Sequence, residues 1–295
     1  MKNLLLITIL FNVSAFADYS NHEDSREVID ELVNVHGFEE SFVIDVLKQA
    51  KKRKTALNSV ARPAEKTKTW DDYKAIFLKK KRIADGKKFI NKHIDVLEKA
   101  EKEFGVPKEV ITAILGVETD YGNIMGNYRV IDSLTTLGFD DPRRSKFFKS
   151  ELIQFFILTR ENNLDILNIK GSYAGAMGYG QFISSSYRAY AIDFDNDGYV
   201  DLFNSLEDAI GSTANYLKRH GWKKEGSIVT KVHPNNVRRF YKPHDSLTQF
   251  IPLTFNENGE DLHFIGDDNF RAIARYNISD VYAMAVYYLS EEFKK

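Results

Sequence analysis

The sequence predicts a mainly α-helical protein of the α+β class, with a helical N-terminal region and a small β insertion late in the chain. Apolar residues recur at helical spacing over most of its 295 residues. Strand-like runs separated by polar turns are confined to residues 222–266. Gly, Ser and Asp are concentrated in residues 171–205, which we expect to form loops and turns. The length allows a substantial core, in one large domain or two smaller ones.

Residues 1–17 have the features of a secretory signal peptide. Lys2 supplies a positive charge, Leu4 to Val13 form a short apolar run, and Ala15-Phe16-Ala17 fits the small-x-small cleavage pattern. A membrane anchor is the alternative, but the run is too short to span a bilayer. We expect cleavage after Ala17 and a soluble mature chain in the periplasm, or secreted, without a membrane span.

Composition narrows the function further. The chain has no Cys, so it has no disulfide, no thiolate metal site and no lipid-modified Cys. An exported chain of this kind must be stabilised by its core or by a metal with oxygen ligands. The formal net charge of −1 argues against nucleic acid as a partner.

Residues 18–104 are predicted to form a helical N-terminal region. Partial helical periodicity is carried by Ile29, Leu32, Val33, Val43, Val46 and Leu47, and later by Trp70, Tyr73, Ile76 and Phe77. The basic run Lys79-Lys80-Lys81-Arg82 is typical of a solvated helix face. The alternative for this run is contact with an anionic polymer.

Residues 105–221 are predicted to form the core that carries the chemistry. The pattern is helical over residues 106–170, with breaks at Gly122-Asn123 and at Asp140-Asp141-Pro142, and it is helical again over residues 206–220. Pro107 suits the first helical position, where its missing N–H costs nothing.

Glu118 is the candidate catalytic residue of this core. Val110, Ile111, Ile114 and Leu115 mark an apolar stripe, and helical spacing places Glu118 on the same stripe. A glutamate facing a core or cleft is costly unless it is paired or used. Burial and the negative end of the helix dipole would both raise its pKa, which is how an acid catalyst at neutral pH is made.

The stretch from Gly171 to Phe182 has four glycines within ten residues. It lacks the Gly-Lys-Ser/Thr of a phosphate loop and the βαβ context of a dinucleotide site. Glycine allows a ligand to approach the backbone, and the hydroxyl, amide and aromatic groups between the glycines suit a sugar-binding groove. A connecting loop without a ligand is the alternative.

Residues 193–199, Asp-Phe-Asp-Asn-Asp-Gly-Tyr, match the opening of an EF-hand calcium loop. Carboxylates stand at its first, third and fifth positions, and Gly198 at the sixth. Asn204 stands at the twelfth position, where a bidentate Glu is expected, so Glu207 or Asp208 would have to close the site. The alternative is an acidic surface turn without an ion. Because three crowded Asp residues repel one another, a structural calcium loop over residues 193–208 is favoured.

Residues 222–266 are predicted to form a small β subdomain, and residues 267–295 helices that return to the core. The expected strands are Ser227 to Val232, Leu247 to Phe255 and Leu262 to Ile265, with a turn at Asn256 to Gly259. The expected helices are residues 268–275 and 279–294.

Together these motifs resemble the lytic murein transglycosylase B family, here without a lipid-anchor Cys. The resemblance runs from about Trp70 to Leu289, and its motifs are V-E-T-D-Y-G at 117–122, D-P-R-R at 141–144, G-S-Y-A-G-A-M-G-Y-G-Q-F at 171–182, S-S-Y-R-A-Y-A-I-D-F-D-N-D-G ending at 198, D-A-I-G-S-T-A-N-Y-L-K-R-H-G-W at 208–222 and R-Y-N-I-S-D-V-Y-A-M-A-V at 275–286. It implies a lysozyme-like helical core with a calcium site. The implied activity is non-hydrolytic cleavage of the β-1,4 bond between N-acetylmuramic acid and N-acetylglucosamine in peptidoglycan, which leaves a 1,6-anhydromuramic acid end.

The resemblance also assigns residues by position. Glu118 would be the sole catalytic acid/base. The saccharide groove would be lined by Ser172, Gln181, Phe182, Tyr216, Tyr276 and Asn277, with Met177, Arg144 and Tyr73 close by. Calcium would be held by Asp193, Asp195, Asp197, Asp208 and the Tyr199 carbonyl. The partners would be peptidoglycan glycan strands and proteins of wall synthesis or remodelling, and no organic cofactor is implied.

Two departures from the family pattern stand near these residues. Phe147 replaces a tyrosine of some members, which removes one hydroxyl, and Ile183-Ser184 replaces a Met-Pro pair, which makes the following loop less rigid.

The residues favour a single-carboxylate reaction. Asp120, the nearest carboxylate in sequence, lies two residues beyond Glu118 and should point away from it along a helix. Glu118 would protonate the glycosidic oxygen, the 2-acetamido group would stabilise the anomeric carbon, and Glu118 would then accept the proton of the 6-hydroxyl. A muramidase that uses water and a catalytically silent peptidoglycan-binding protein are the alternatives.

Overall fold

The computed structural model describes residues 18–234 and 250–295, and over these ranges the chain is mainly helical with small sheets, which confirms the predicted fold class. A short 3₁₀ helix (Tyr19–Asn21) is followed by helices α1 (Ser25–Asn34), α2 (Glu40–Gln49), α3 (Lys54–Ala61), α4 (Ala64–Thr67), α5 (Trp70–Phe77), α6 (Lys80–Lys92), α7 (Ile94–Phe104), α8 (Lys108–Thr119), α9 (Val130–Asp140), α10 (Ser145–Glu161), α11 (Ser184–Tyr190), α12 (Leu206–Arg219), α13 (Asp268–Tyr276) and α14 (Asp280–Lys294). The strands are β1 (Tyr128–Arg129), β2 (Lys170–Gly171), β3 (Val229–Lys231), β4 (Ile251–Glu257) and β5 (Glu260–Gly266).

The first helices pack against the middle of the chain. Leu32 of α1 and Leu47 of α2 are fully buried, as the helical spacing predicts, and α1 contacts α10. The segment after α2 is held by Asp132 of α9, a fully buried carboxylate. Asp132 accepts a hydrogen bond from the Lys51 amide at 2.9 Å and pairs with Arg53 at 2.6 Å. Because a buried charge must be paired, this contact fixes the N-terminal helices to α9.

Helix α8 lies at the centre of the fold. Every residue from Val110 to Gly116 is buried, and the helix contacts α6, α7, α12 and α14. A helix that is apolar on all sides is stable only when it is enclosed in this way. The breaks expected after α8 and at Asp140-Asp141-Pro142 are present, since α9 ends at Asp140 and α10 begins at Ser145.

The prediction that residues 171–205 contain only loops and turns is wrong at α11. Ser184 and Tyr187 of this helix are buried, and Glu151 of α10 accepts hydrogen bonds from the Ser185 amide at 2.9 Å and from its hydroxyl at 2.7 Å. Serine-rich segments have weak helix propensity, so tertiary contacts decide the outcome here.

The two-stranded ladder of β1 and β2 was also not predicted. Tyr128 pairs with Gly171 and Arg129 with Lys170 in antiparallel register. Strands of two residues carry no sequence periodicity. The ladder fixes the start of the glycine-rich segment against the N-terminus of α9.

The remaining strands form an antiparallel sheet in the order β3-β5-β4. Leu253 and Phe255 of β4 are buried and alternate with exposed residues, as a sheet with one solvated face requires. The hairpin turn has fewer residues than the predicted turn at Asn256 to Gly259. Glu257 still pairs with Glu260, so only Asn258 and Gly259, with φ of 52° and 84°, form the turn. Residues 247–249 of the predicted strand lie outside the described residues.

The tip of the β4–β5 hairpin contacts α5. The Trp70 ring lies 4.9 Å from that of Phe255, and its Nε1 donates to Glu257 at 3.0 Å. The Asn258 amide donates to Asp71 at 2.9 Å. The hairpin therefore supports the helix that carries Tyr73.

None of the helices within residues 18–234 and 250–295 has the length and apolar character needed to cross a membrane. The predicted signal peptide, residues 1–17, lies outside the described residues.

Candidate active site

Glu118 lies in the last turn of α8 and is partly exposed. Pro107 occupies the N-cap position directly before the helix, one residue earlier than predicted. The turns between them are locked in the core, so the backbone of Glu118 is rigidly placed. The residue itself lies where the buried part of the helix ends.

The chain reverses sharply after Glu118. Asp120, Tyr121 and Gly122 have φ of 52°, 62° and 92°, which is the left-handed region. A Cβ at Gly122 would lie 2.1 Å from the Tyr179 ring, so this position requires glycine. Asp120 lies in this reversal rather than on a continuing helix, and its carboxylate pairs with Arg82 at 3.0 Å.

Thr119 joins this reversal to the glycine-rich segment. Its hydroxyl accepts a hydrogen bond from the Gly122 amide at 2.9 Å and donates to the Tyr179 carbonyl at 2.8 Å. The end of α8 and the glycine-rich segment are therefore one connected unit.

The environment of Glu118 favours its acid form. Burial raises the pKa of Glu118 to about 7. A hydrogen bond from the Tyr282 hydroxyl to Oε1, at 2.6 Å, acts against burial, and the negative charge of Glu65 adds a further increase. A carboxyl group with such a pKa can both donate and accept a proton near neutral pH.

The glycine-rich segment is a tightly bonded loop beside α8. Ser172 lies at its start, half-buried, and its Oγ accepts hydrogen bonds from the Ala176 amide at 3.0 Å and the Ala174 amide at 3.3 Å. The backbone of Met177 forms isolated antiparallel β-bridges with Gly171 and Phe182. The residue is fully buried, so its side chain belongs to the core behind the loop.

Gln181 is held by its amide group. It adopts a φ of 49°, and Nε2 donates to the Met125 carbonyl at 3.1 Å and to the Gly178 carbonyl at 3.0 Å. These two bonds orient the side chain and hold the segment after Gly122 against the glycine-rich loop.

Aromatic rings connect the loop to the C-terminal helices. Phe182, Tyr216 and Tyr276 lie 4.7 to 5.7 Å apart by ring centroids, and Tyr276 lies 6.4 Å from Tyr282. The Tyr276 hydroxyl donates to the Gly180 carbonyl and the Tyr216 hydroxyl to the Arg275 carbonyl, at 2.8 and 2.7 Å. Phe182 and Tyr216 are buried, so they support the groove from behind.

Tyr73 and Asn277 meet at a residue that the sequence analysis missed. The Tyr73 hydroxyl donates to Oε1 of Glu65 at 3.5 Å, and Nδ2 of Asn277 donates to the same oxygen at 3.2 Å. Glu65 lies in the four-residue helix α4, where no periodicity marks it. The structure thus brings Tyr73 and Asn277 to one carboxylate, with Tyr73 buried in the core and Asn277 partly exposed.

Arg144 lies at the start of α10 and is exposed. Its guanidinium packs over the rings of Phe147 at 4.5 Å and Phe148 at 5.0 Å. These contacts place it on α10, and none of them is with the residues around Glu118.

The carboxylates of Asp193, Asp195 and Asp197 converge. One oxygen from each lies within 4.8 Å of the others, which is the hard oxygen donor set that calcium prefers. Asn196 and Gly198 take left-handed φ of 64° and 95°, and the Gly198 amide donates to Asp193 at 2.9 Å. The loop is therefore folded around its three carboxylates.

Asp208 does not join this group. It is buried, and its Oδ1 accepts from the Phe194 amide at 2.6 Å while Oδ2 accepts from the Asp201 amide at 2.8 Å. It fastens both ends of the loop to α12. The Tyr199 side chain is exposed, and Asn204 at the twelfth position donates to Asp201 at 2.8 Å.

The acidic loop contacts the glycine-rich loop directly. The Tyr179 amide donates to the Leu202 carbonyl at 3.0 Å, and a Cβ at Gly178 would lie 2.3 Å from that same carbonyl oxygen. This close approach explains why glycine is required at position 178.

Comparison with known proteins gives a consistent result. The family model described as the transglycosylase SLT domain matches residues 20–291. The chain is 37% identical to membrane-bound lytic murein transglycosylase B of Escherichia coli (strain K12), covering 93% of this chain and 83% of that protein.

The fold is similar to solved structures of the same kind. Catenated lytic transglycosylase SltB1 of Pseudomonas aeruginosa superposes with a TM-score of 0.86 at 38% identity, covering 94% of this chain and 99% of that one. Escherichia coli Slt35 in complex with calcium gives 0.83 at 36% identity, covering 94% of each chain. Pseudomonas aeruginosa SltB3 in complex with NAG-anhNAM-pentapeptide gives 0.76 at 27%, covering 91% of this chain and 78% of that one. With an acid at the end of α8 in this fold, and a family match over nearly its whole length, the chain belongs to the lytic murein transglycosylases of the SLT domain family.

Proposed function

We propose that this protein cleaves the β-1,4 bond between N-acetylmuramic acid and N-acetylglucosamine in peptidoglycan without water, leaving a 1,6-anhydromuramic acid end. The observation that carries the proposal is Glu118, a partly exposed acid whose pKa burial raises to about 7. Its relatives are named as murein transglycosylases, and one of them is bound to a NAG-anhNAM-pentapeptide.

One carboxyl group can supply both proton transfers. Protonated Glu118 donates its proton to the glycosidic oxygen as the bond to the anomeric carbon breaks. The substrate's 2-acetamido oxygen stabilises that carbon in the interval. Ionised Glu118 then accepts the proton of the 6-hydroxyl, whose oxygen bonds to the anomeric carbon. The acid is regenerated and no water is consumed.

The groove around Glu118 is proposed to hold the glycan through two walls. Ser172 and Gln181 would stand on the glycine-rich wall and Asn277 on the other, with the buried Tyr73 behind Asn277. Phe182, Tyr216 and Tyr276 support the first wall from behind, together with Met177. Arg144, exposed at the start of α10, is assigned to the outer part of the groove.

Calcium is proposed to bind the loop over residues 193–208. Asp193, Asp195 and Asp197 would supply carboxylate oxygens and Tyr199 its carbonyl. Asp208 would then act by holding the loop backbone rather than as a ligand. The ion would neutralise the three carboxylates and stiffen the loop that supports Gly178.

Export is proposed from the features of residues 1–17, with the mature chain acting in the periplasm on glycan strands. The helical region 18–104, the core 105–221, the β subdomain 222–266 and the C-terminal helices 267–295 are proposed as its parts. Proteins of wall synthesis or remodelling are its proposed partners.

The test is mass spectrometry of purified sacculi digested with the mature protein. An anhydro end is lighter by one water than the reducing end that a muramidase leaves. Glu118→Gln should abolish turnover while keeping glycan binding, and Glu109→Gln on the same helix should leave activity unchanged. Reducing ends alone would identify a muramidase, and absence of cleavage would identify a binding protein; either result would overturn the proposal.

A further inference from the structure

Glu65 is a second carboxylate at the groove, outside the residues given a role above. Two groove residues donate to its Oε1: the Tyr73 hydroxyl at 3.5 Å and Nδ2 of Asn277 at 3.2 Å. Asn277 lies 212 positions further along the chain than Glu65. Because Glu65 accepts hydrogen bonds from an N-terminal and a C-terminal residue, it fixes the position of α5 relative to the end of α13.

The charge of Glu65 acts on the groove as well as its hydrogen bonds. Burial is the main cause of the raised pKa values of Glu118, Tyr73 and Tyr173, and the charge of Glu65 raises each of them further. Glu65 therefore lies close enough to Glu118, Tyr73 and Tyr173 for its charge to act on all three.

The other groups packed around Glu118 carry no comparable net charge. From α6, Arg82 is paired with Asp120 at 3.0 Å. From α14, α13 and α12 come the phenols of Tyr282, Tyr276 and Tyr216, whose pKa values burial raises, so they are neutral. Within the described parts of the chain, Glu65 is the charged group whose field acts on Glu118.

We propose that Glu65 is a positioning residue of the reaction: its Oε1 fixes Asn277 in the groove wall and the buried Tyr73 behind it, and its negative charge adds to burial in favouring the acid form of Glu118 between turnovers. The proposal rests on the function proposed above. It assigns Glu65 no bond to the substrate and no proton transfer.

The charge has a use in each half of the reaction. In the resting enzyme it disfavours ionisation of Glu118. After Glu118 has given its proton to the leaving oxygen, two carboxylates face the same groove. Their repulsion favours the return of a proton to Glu118, and the 6-hydroxyl that must attack is the group that supplies it.

Glu65→Gln tests the charge, because glutamine keeps the length and an acceptor oxygen for Asn277. Without the charge the pKa of Glu118 falls, so the alkaline limb of the kcat/KM profile should move toward lower pH. Each unit of movement lowers the protonated fraction about tenfold above the pKa, so we expect roughly a two- to tenfold loss at about pH 8 and little loss at about pH 5. Glu65→Asp keeps the charge, so the alkaline limb of its kcat/KM profile should stay at the same pH as in the wild type.

Two controls separate this inference from the proposed function. Glu161→Gln removes a carboxylate that pairs with Arg188 away from the groove, and its profile should equal that of the wild type. The ¹³C-NMR titration of Glu118, identified by its absence in Glu118→Gln, reports the same pKa without turnover. An unchanged Glu118 titration in a folded Glu65→Gln protein would overturn the inference even if the anhydro product forms. A shifted titration without anhydro product would sustain the electrostatic role and reject the proposed reaction.

Discussion

The Tyr282 hydroxyl donates a hydrogen bond of 2.6 Å to Oε1 of Glu118, across 164 positions of sequence. Tyr282 is buried near the start of α14, which packs along α8. The bond favours the ionised form of Glu118, whereas burial favours the neutral form. The acid strength of Glu118 is thus a balance in which burial and the charge of Glu65 raise its pKa and the Tyr282 hydroxyl lowers it.

Replacement of Tyr282 by Phe removes that bond and leaves the ring. Because the bond lowers the pKa of Glu118, its loss should raise the pKa and move the alkaline limb of kcat/KM to higher pH. This direction is opposite to that expected for Glu65→Gln. A pH series on soluble glycan fragments measures both. Tyr287→Phe, on the same helix, is the matched control, and movement of the Tyr282→Phe limb toward acid would contradict the stated balance.

Glu118 should also make the stability of the protein depend on pH. Its folded pKa of about 7 lies above the ordinary value of 4.5, so its contribution is complete below about pH 4.5 and is lost as the pH rises through 7. Glu118→Gln cannot ionise and still offers Tyr282 an acceptor. We expect the variant to be more stable than the wild type by about 1–3 kcal/mol at about pH 9, and equal to it near pH 4. Urea unfolding at both pH values measures this, and a difference that is constant with pH would exclude the assignment.

Calcium should stabilise the folded protein by mass action. At a concentration about 100-fold above its dissociation constant, an ion bound only to the folded state adds about 2.7 kcal/mol. For a chain of this size the unfolding midpoint should rise by several degrees over that in EDTA. Asp195→Ala should abolish the difference, while Asp45→Asn on the exposed face of α2 should preserve it. Thermal unfolding of the three proteins in calcium and in EDTA measures this difference, and an equal midpoint of the wild type in both would contradict calcium binding.

Asp208 offers a sharper contrast within the same loop. Its oxygens accept hydrogen bonds from the backbone amides of Phe194 and Asp201. Asp208→Ala should therefore lower the free energy of unfolding by about 1–3 kcal/mol, in EDTA as well as in calcium. A destabilisation that is seen only when calcium is present would show that Asp208 is a calcium ligand instead.

The buried pair of Asp132 and Arg53 should contribute strongly to the attachment of the N-terminal helices. Asp132→Ala removes the partner of Arg53 and of Arg129 and the acceptor of the Lys51 amide, and it should cost about 2–4 kcal/mol. Limited proteolysis should then cut first between α2 and α3. Lys52→Ala, which removes the more exposed pair of Lys52 with Asp140, should cost less. Equal costs would show that burial of Asp132 is not the source of the effect.

Much of this architecture follows from local pattern. Glu118 could be found because helical spacing places it beside Ile114 and Leu115, and the acidic loop because alternate Asp residues and a Gly are a local signature. Strands β4 and β5 alternate as half-buried strands do. Each of these signals lies within about a dozen residues.

The rest depends on contacts between distant segments. Nothing in the sequence around Glu65 or Tyr282 indicates that they meet Glu118, since they approach from 53 residues before and 164 residues after it. Helix α11 forms because Glu151 binds its first turn, not because Ser184-Ser185-Ser186 favours a helix. Asp208 has the right residue type for a ligand, and only its contacts reveal that its oxygens hold backbone amides.

The contact of the β4–β5 hairpin with α5 has a consequence for the order in which the protein becomes active. Trp70 and Asp71 are made early in synthesis, yet their partners Glu257 and Asn258 are made near its end. Helix α5, which carries Tyr73, is therefore held in place only after most of the chain has been synthesised. A chain still on the ribosome has Glu118 but not the contacts that Tyr282 and Asn277 make around it, so the site is complete only after the last helices have been synthesised.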